Sequence, residues 1–286
     1  MEKKILWVIT IILFLVLWIK TDPFQDEADV TDADTAEEVT SADESGEATQ
    51  DEKDYFKSHP IQAQAPDFQA ITDVKARKKA FFEYLSPFAK EKNDLILADR
   101  ERLTALLKKA GKLSKKEVAW VSKLRKDNKL KVLTQYAKQD LQALLSRLDI
   151  IPTSLVLAQA ANESAWGTSR FATQGNNYFG QWCFRKGCGL VPVSRDNDAD
   201  HEVRKFHDAR ESVFAYIDNL NTNSAYKKLR NTRANLRQQG DVITGLALAQ
   251  GLEHYSQRGQ AYVKEIISLI NYNKLWRFNR MQANNE

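Results

Sequence analysis

The sequence predicts a mainly α-helical protein with one small β-hairpin lobe, preceded by a transmembrane helix and a disordered linker. Three observations carry this. Apolar residues recur at helical spacing through most of residues 72–147 and 208–275. Residues 179–206 break that spacing with two cysteines, Gly187, Gly189 and Pro192. The first 54 residues switch abruptly from apolar to acidic.

Met1 to Lys20 opens with Glu2, Lys3 and Lys4 and then runs for fifteen residues, Ile5 to Ile19, that are apolar except for Thr10. As a helix that run spans about 22 Å, short of a ~30 Å hydrocarbon core but workable if Lys4 and Lys20 snorkel. A retained single-pass anchor is expected, its lysines holding the N-terminus in the cytoplasm. The alternative is a cleaved signal peptide, which KTDPF serves poorly because it offers no small-x-small site. Residues 21–70 form the linker. Within it, residues 21–54 hold fourteen Asp or Glu against Lys53 alone, a net charge of −13, with too little apolar surface to fold. Residues 55–286 hold 38 Lys or Arg against 23 Asp or Glu, a net +15 that suits a polyanion. With no helix-turn-helix, zinc-finger array or RNA-binding signature, nucleic acid is not the expected partner.

Residues 71–148 read as a helical support. VKARKKAFFEYL ends at Pro87, DLILADRERLTALLKKAG stops at Gly111, SKKEVAWVSKLRKD starts at Ser114 with Glu117 in capping-box position, and LTQYAKQDLQALLSRL comes next. The central stretch is LVLAQAANESAWGTSRFATQGNNYFGQW, residues 155–182. Pro152 suits the start of its helix and Gly167 the end, so Glu163 falls near a helix C-terminus beside Trp166. Partial negative charge and an aromatic wall both disfavour an ionised carboxylate, and a carboxylic acid still protonated near neutral pH can act as a general acid.

In the hairpin lobe, HEVRKF alternates as a strand does. Cys183 and Cys188, the two cysteines of the chain, would close a small disulfide loop in an oxidising compartment. Their spacing to His201 and His207 also comes close to a Cys2His2 zinc pattern, but export favours the disulfide, and neither a metal nor a cofactor is expected. Asn176 and Asn177 suit a turn, and the same amides, with the aromatic rings of Tyr178 and Phe179, equally suit the lining of a binding site.

ANESAWGTSRFA, NNYFGQWCFRKGCGLVP, NLNTNSAY and EHYSQRGQAYV, in this order, make the chain similar to the glucosaminidase family of peptidoglycan hydrolases, glycoside hydrolase family 73, and within it to the Bax-like group. The resemblance runs from about residue 72 to about residue 275. It implies a lysozyme-like catalytic domain at residues 149–280 with Glu163 as general acid. It also implies a tyrosine opposite the acid, Tyr262 or Tyr255, and a second carboxylate from the β lobe. For the latter Glu202 is the candidate within a strand, with Asp196, Asp198 and Asp200 in the turn before it. Asn162, Trp166, Asn176, Asn177, Tyr178, Phe179 and Trp182 are expected to line the substrate subsites.

The implied activity is an endo-β-N-acetylglucosaminidase acting on peptidoglycan glycan strands from the periplasmic face of the inner membrane. Its alternatives are a lytic transglycosylase, which also needs one acid, and a wall-binding protein without catalysis. A second carboxylate could be replaced by the substrate's own N-acetyl group. The sequence names no protein partner.

Overall fold

A computed structural model describes residues 48–61, 64–192 and 202–279. The expected anchor at Met1–Lys20, most of the acidic linker, His201 and the turn aspartates Asp196, Asp198 and Asp200 lie outside the described residues. Among the described residues, no helix is long and apolar enough to cross a membrane.

The linker expectation is corrected at its C-terminal end, where Gln50–Ser58 forms a helix, α1. A capping box starts it: the Thr49 side chain accepts from the Glu52 amide while the Glu52 carboxylate accepts from the Thr49 amide. Composition hid this because the helix leans on partners outside it. Glu52 pairs with Lys92 at 2.6 Å, and Arg210 donates to the carbonyl of His59 at 2.6 Å.

Pro87 was expected to end a helix, yet Val74–Leu106 is one continuous helix, α2, with Pro87 inside it. The proline lies on the exposed side, while Phe81, Phe82, Leu85, Phe88 and Ala89 are buried. Burying such side chains is worth about 1.5–3 kcal/mol for each large one, enough together to outweigh a ~3 kcal/mol proline penalty. Ser114 and Glu117 form the expected capping box of α3 (Lys115–Asp127), and α4 spans Lys138–Arg147.

The hub is α5, Thr153–Glu163, entered through Pro152. Every residue from Thr153 to Ala161 is buried, against α2, α9 (Gly245–Ala249), α10 (Gln260–Tyr272) and a final 3-10 turn, Leu275–Phe278. A Cβ on Gly245 would fall 2.4 Å from Ser154 Oγ, so α9 reaches its closest approach only through a glycine. Between these elements lie α6 (Arg170–Gly175), α7 (Ala209–Thr222), which packs on α2, and α8 (Lys227–Gln239).

Buried arginines close the connections. Arg125 donates to the carbonyls of Lys131 and Asp140, Arg147 to those of Asn128 and Thr222, and Arg233 to those of Asp149, Ile150 and Ser146. The Asp149 carboxylate, itself buried, accepts two bonds from Arg237 at 3.0 and 2.7 Å and lies 3.4 Å from Arg100.

The β lobe has three short antiparallel strands in the order β1 (Trp182–Cys183), β3 (Glu202–Arg204), β2 (Gly189–Leu190), one more than a hairpin. Trp182 pairs with Val203 and Gly189 with Arg204. Cys183 and Cys188 form the disulfide across a Cα–Cα distance of 6.3 Å. Their sulfurs are therefore not free as zinc thiolates, and His207, the described histidine of that spacing, points to solvent. A Cβ on Gly189 would lie 2.0 Å from the Val203 carbonyl oxygen, which is why glycine begins β2.

Candidate active site

Glu163 is the last residue of α5, and the chain immediately after it is wound tightly. Ser164, fully buried, donates its hydroxyl to the Ala160 carbonyl at 2.6 Å and accepts from the Gly167 amide at 2.8 Å. Ala165, Trp166 and Gly167 all have positive φ, at 48°, 61° and 78°. Two consecutive non-glycine residues in the left-handed region are strained, and such strain persists only where packing over-determines it. Here Trp166 is held edge-on by Phe81 and Phe82 with the Lys78 ammonium 4.4 Å over its ring, and the Phe68 ring fills the space beside Gly167.

This turn leaves the Glu163 carboxyl half-buried against α10. Tyr262, 2% exposed, donates its hydroxyl to Glu163 Oε1 at 2.7 Å, and Asn162 Nδ2 donates to the same oxygen at 3.3 Å. Glu163 Oε2 faces Gly180, where even an added Cβ would stay 4.0 Å away. Burial raises the Glu163 pKa above the ordinary glutamate value and prevails over the bonds from Tyr262 and Asn162, which favour the ionised form; the charge of Glu265 adds to the rise and that of Arg258 opposes it. Tyr255 stacks on Tyr262, ring centres 5.4 Å apart, and donates to the Phe179 carbonyl at 2.9 Å. Of the two tyrosines, Tyr262 touches the acid, and Tyr255 buttresses it.

Two residues unmarked by sequence reasoning, Gln159 and Tyr216, complete this cluster. Gln159, fully buried one turn before Glu163, donates to the Tyr262 hydroxyl at 2.8 Å and accepts a short hydrogen bond from Tyr216. The signal was present: Gln159 is the one polar residue in the run LVLAQAA, and a buried amide must find partners.

Several expected subsite residues are turned inward. Asn176 ends α6 at φ 50° and donates to the carbonyls of Phe206 and His207. Asn177, 1% exposed, spends all its hydrogen-bonding capacity on Phe179, Gln181 and Arg204 backbone. Tyr178 and Phe179 are buried, Phe179 stacked on Tyr216 at 4.0 Å. Asn177, Tyr178 and Phe179 build the floor of the loop with buried side chains, and Asn176 beside them is half-buried. Trp182 is 51% exposed and, with Phe184, Phe214, Lys92 and Asp218, lines a cavity of about 460 Å³ whose walls do not include Glu163.

Glu202, the second-acid candidate, sits inside the β lobe. Its carboxylate is buried, and its two oxygens accept from the amides of Gly187 and Gly189 at 2.9 and 2.8 Å. Two backbone donors, one on each oxygen, hold it as the clasp of the disulfide loop.

A helical body that holds one half-buried carboxyl group, its pKa raised by burial, beside a phenol is an arrangement that glycoside hydrolases can use for a general acid. Comparison with known proteins agrees. The family described as mannosyl-glycoprotein endo-beta-N-acetylglucosaminidase, the glucosaminidase domain, matches residues 138–275. Protein bax of Escherichia coli (strain K12) is 33% identical over 222 residues, 78% of this chain and 79% of that protein. Among solved structures, the catalytic domain of the autolysin Auto from Listeria monocytogenes overlays with a TM-score of 0.41 at 16% identity, covering 81% of this chain and 99% of that one. The chain belongs to the glucosaminidase family, among the relatives of Protein bax.

Proposed function

We propose that the protein hydrolyses the glycan strands of peptidoglycan as an endo-β-N-acetylglucosaminidase, with Glu163 protonating the oxygen of the scissile glycosidic bond. Membership of the glucosaminidase family supports the bond class. The observation that carries the assignment of the acid is the placement of Glu163: half-buried, raised in pKa, and bonded by Tyr262 on one oxygen while the other faces Gly180. A carboxyl group in that state gives up its proton to a departing alkoxide and becomes a carboxylate that the Tyr262 and Asn162 donors stabilise as it forms. The net +15 of residues 55–286 favours an anionic wall polymer. On this reading the Met1–Lys20 segment anchors the protein in the inner membrane with its body in the periplasm; membrane fractionation with and without residues 1–20 tests that.

Because Glu202 is engaged by backbone amides, single-acid chemistry gains weight. The substrate's N-acetyl group then meets the charge developing on the sugar, or, in the second reading, a muramyl hydroxyl attacks internally as in lytic transglycosylases. Digestion of purified sacculi followed by mass spectrometry separates them: new reducing-end N-acetylglucosamine supports hydrolysis, and anhydro-muramyl ends support the alternative. Glu163→Gln should lower the rate about 10²–10⁴-fold. Undiminished digestion by that variant would exclude Glu163 as the acid.

A further inference from the structure

Three hydrogen bonds run in line from the centre of the fold to the acid. Tyr216, fully buried on α7, donates to Gln159 Oε1; Gln159 Nε2 donates to the Tyr262 oxygen at 2.8 Å; Tyr262 donates to Glu163 Oε1 at 2.7 Å. Among the described residues neither the Tyr216 hydroxyl nor the Gln159 amide has another partner, so the direction of each bond is fixed by counting protons. A phenol has one proton. Tyr216 uses its proton on the Gln159 carbonyl, which turns the amide NH2 toward Tyr262. The Tyr262 oxygen, already receiving a proton from Gln159, has its own hydrogen left for Glu163. Reversing the amide would leave the Tyr216 proton without an acceptor in a fully buried site. It would also aim the bare Tyr262 oxygen at Glu163 whenever that carboxylate is ionised, and a buried polar group left unpaired is costly.

We infer that Tyr216 and Gln159 are positioning residues that commit Glu163 Oε1 as an acceptor and so place the catalytic proton on Oε2, the oxygen facing Gly180. Without that polarity the two oxygens compete for the proton, and when it lies on Oε1 it points at Tyr262, away from any substrate. Glycine at 180 fits this role: Oε2 has no side chain in front of it at that position, and Gly180 adopts φ 66°. The inference rests on the assignment of Glu163 as the acid. It extends that assignment to two residues that touch no substrate and to one oxygen of the two.

The test measures kcat, KM and the pH dependence of kcat/KM on sacculi for Tyr216→Phe and Gln159→Met, with melting temperature alongside. In Tyr216→Phe the Gln159 carbonyl loses its donor, the amide turns over, and Tyr262 donates to Gln159 in place of Glu163. The ionised form of Glu163 then loses its best donor, so its titration moves upward and the basic limb of the profile shifts to higher pH. Meanwhile kcat falls about tenfold, the worth of one oriented hydrogen bond, at unchanged KM. Gln159→Met, similar in volume, frees the Tyr262 hydroxyl to accept at Oε1 as well as donate, and should move kcat and the limb the same way.

The other groups that act on Glu163 stay in place in both variants: Glu265 on α10, Arg258 before it, Asn162 and Tyr255. A merely structural role would lower the melting temperature and leave the pH limb fixed, and that result in both variants overturns the inference. If Glu163→Gln itself digests normally, the assignment of the acid has failed. If Glu163→Gln is inactive while both relay variants keep the native limb and kcat, only the relay has failed.

Discussion

Replacing Glu202 with glutamine separates a structural clasp from a catalytic base. The native carboxylate accepts the Gly187 amide on Oε1 at 2.9 Å and the Gly189 amide on Oε2 at 2.8 Å, in a buried position. Glutamine keeps one acceptor and sets an NH2 group against the other amide, so one charge-assisted bond is lost and two donors face each other. That is worth about 1.5–3 kcal/mol. The loss is local to the lobe closed by Cys183 and Cys188, so hydrogen exchange reads it more directly than global melting. If exchange proceeds through opening of this loop, the Gly187 and Gly189 amides should exchange about 10–150-fold faster, since each ~1.4 kcal/mol is a factor of ten. On this account kcat on sacculi stays close to that of the unchanged protein. The opposite pattern, amide protection retained and kcat down about 10²-fold or more, would refute the clasp and restore Glu202 as the second acid.

Asp149→Ala should cost about 3–5 kcal/mol by calorimetry or denaturant melting, because Arg233 is left buried without its counter-charge. Burial alone would raise the Asp149 pKa, but the bonds from Arg237 and the charges of Arg233 and Arg100 hold it below the ordinary value. Its stabilising contribution is therefore full above the unfolded aspartate pKa and disappears as pH falls through the depressed folded value; a pH series of melting curves with and without Asp149 checks this. Glu265→Gln removes a negative charge that raises the Glu163 pKa, so the basic limb of kcat/KM should move to lower pH, and a shift upward would contradict the assignment. Gly167→Ala brings a Cβ to 2.4 Å from the Phe68 ring at φ 78°; it should destabilise by about 1–3 kcal/mol and lower kcat by misplacing Glu163, seen as a reduced melting temperature and a reduced rate together.

The elements set by local chemistry were readable in the sequence. Ser114 and Glu117 announce a helix start because the cap is made within four residues, and Pro152 marks the entry to the acid-bearing helix, which ends at Glu163, four residues before the expected stop at Gly167. Pro87 misled because its effect is decided by distant packing: the Phe and Leu side chains around it bury against elements far along the chain. The Asn-Asn-Tyr-Phe loop misled in another way. Its residue types suit a sugar and suit a sealed turn equally, and only the positions of Gln181, Arg204 and Tyr216 choose the second. Glu163 stood out from its own neighbourhood, and resemblance gave both it and Tyr262 their expected roles. Gln159 and Tyr216 needed the fold, since the bond joining them spans 57 residues.

The arginine-to-carbonyl ties have a bearing on how the enzyme behaves across conditions. Guanidinium groups hold their charge over the whole range in which a carboxyl group titrates, and even Arg233, pushed down to about 10 by burial, stays cationic well past neutrality. The carbonyl ties among α3, α4, α7 and α8 therefore keep charged donors through that range, and the ion pairs of Asp149 with Arg233 and Arg237 give way only in acid, once pH falls through the depressed pKa of Asp149. Glu163, raised where Asp149 is lowered, can then change its protonation at a pH that leaves those joints fastened, so that the proposed catalysis and the architecture answer to different ranges of acidity.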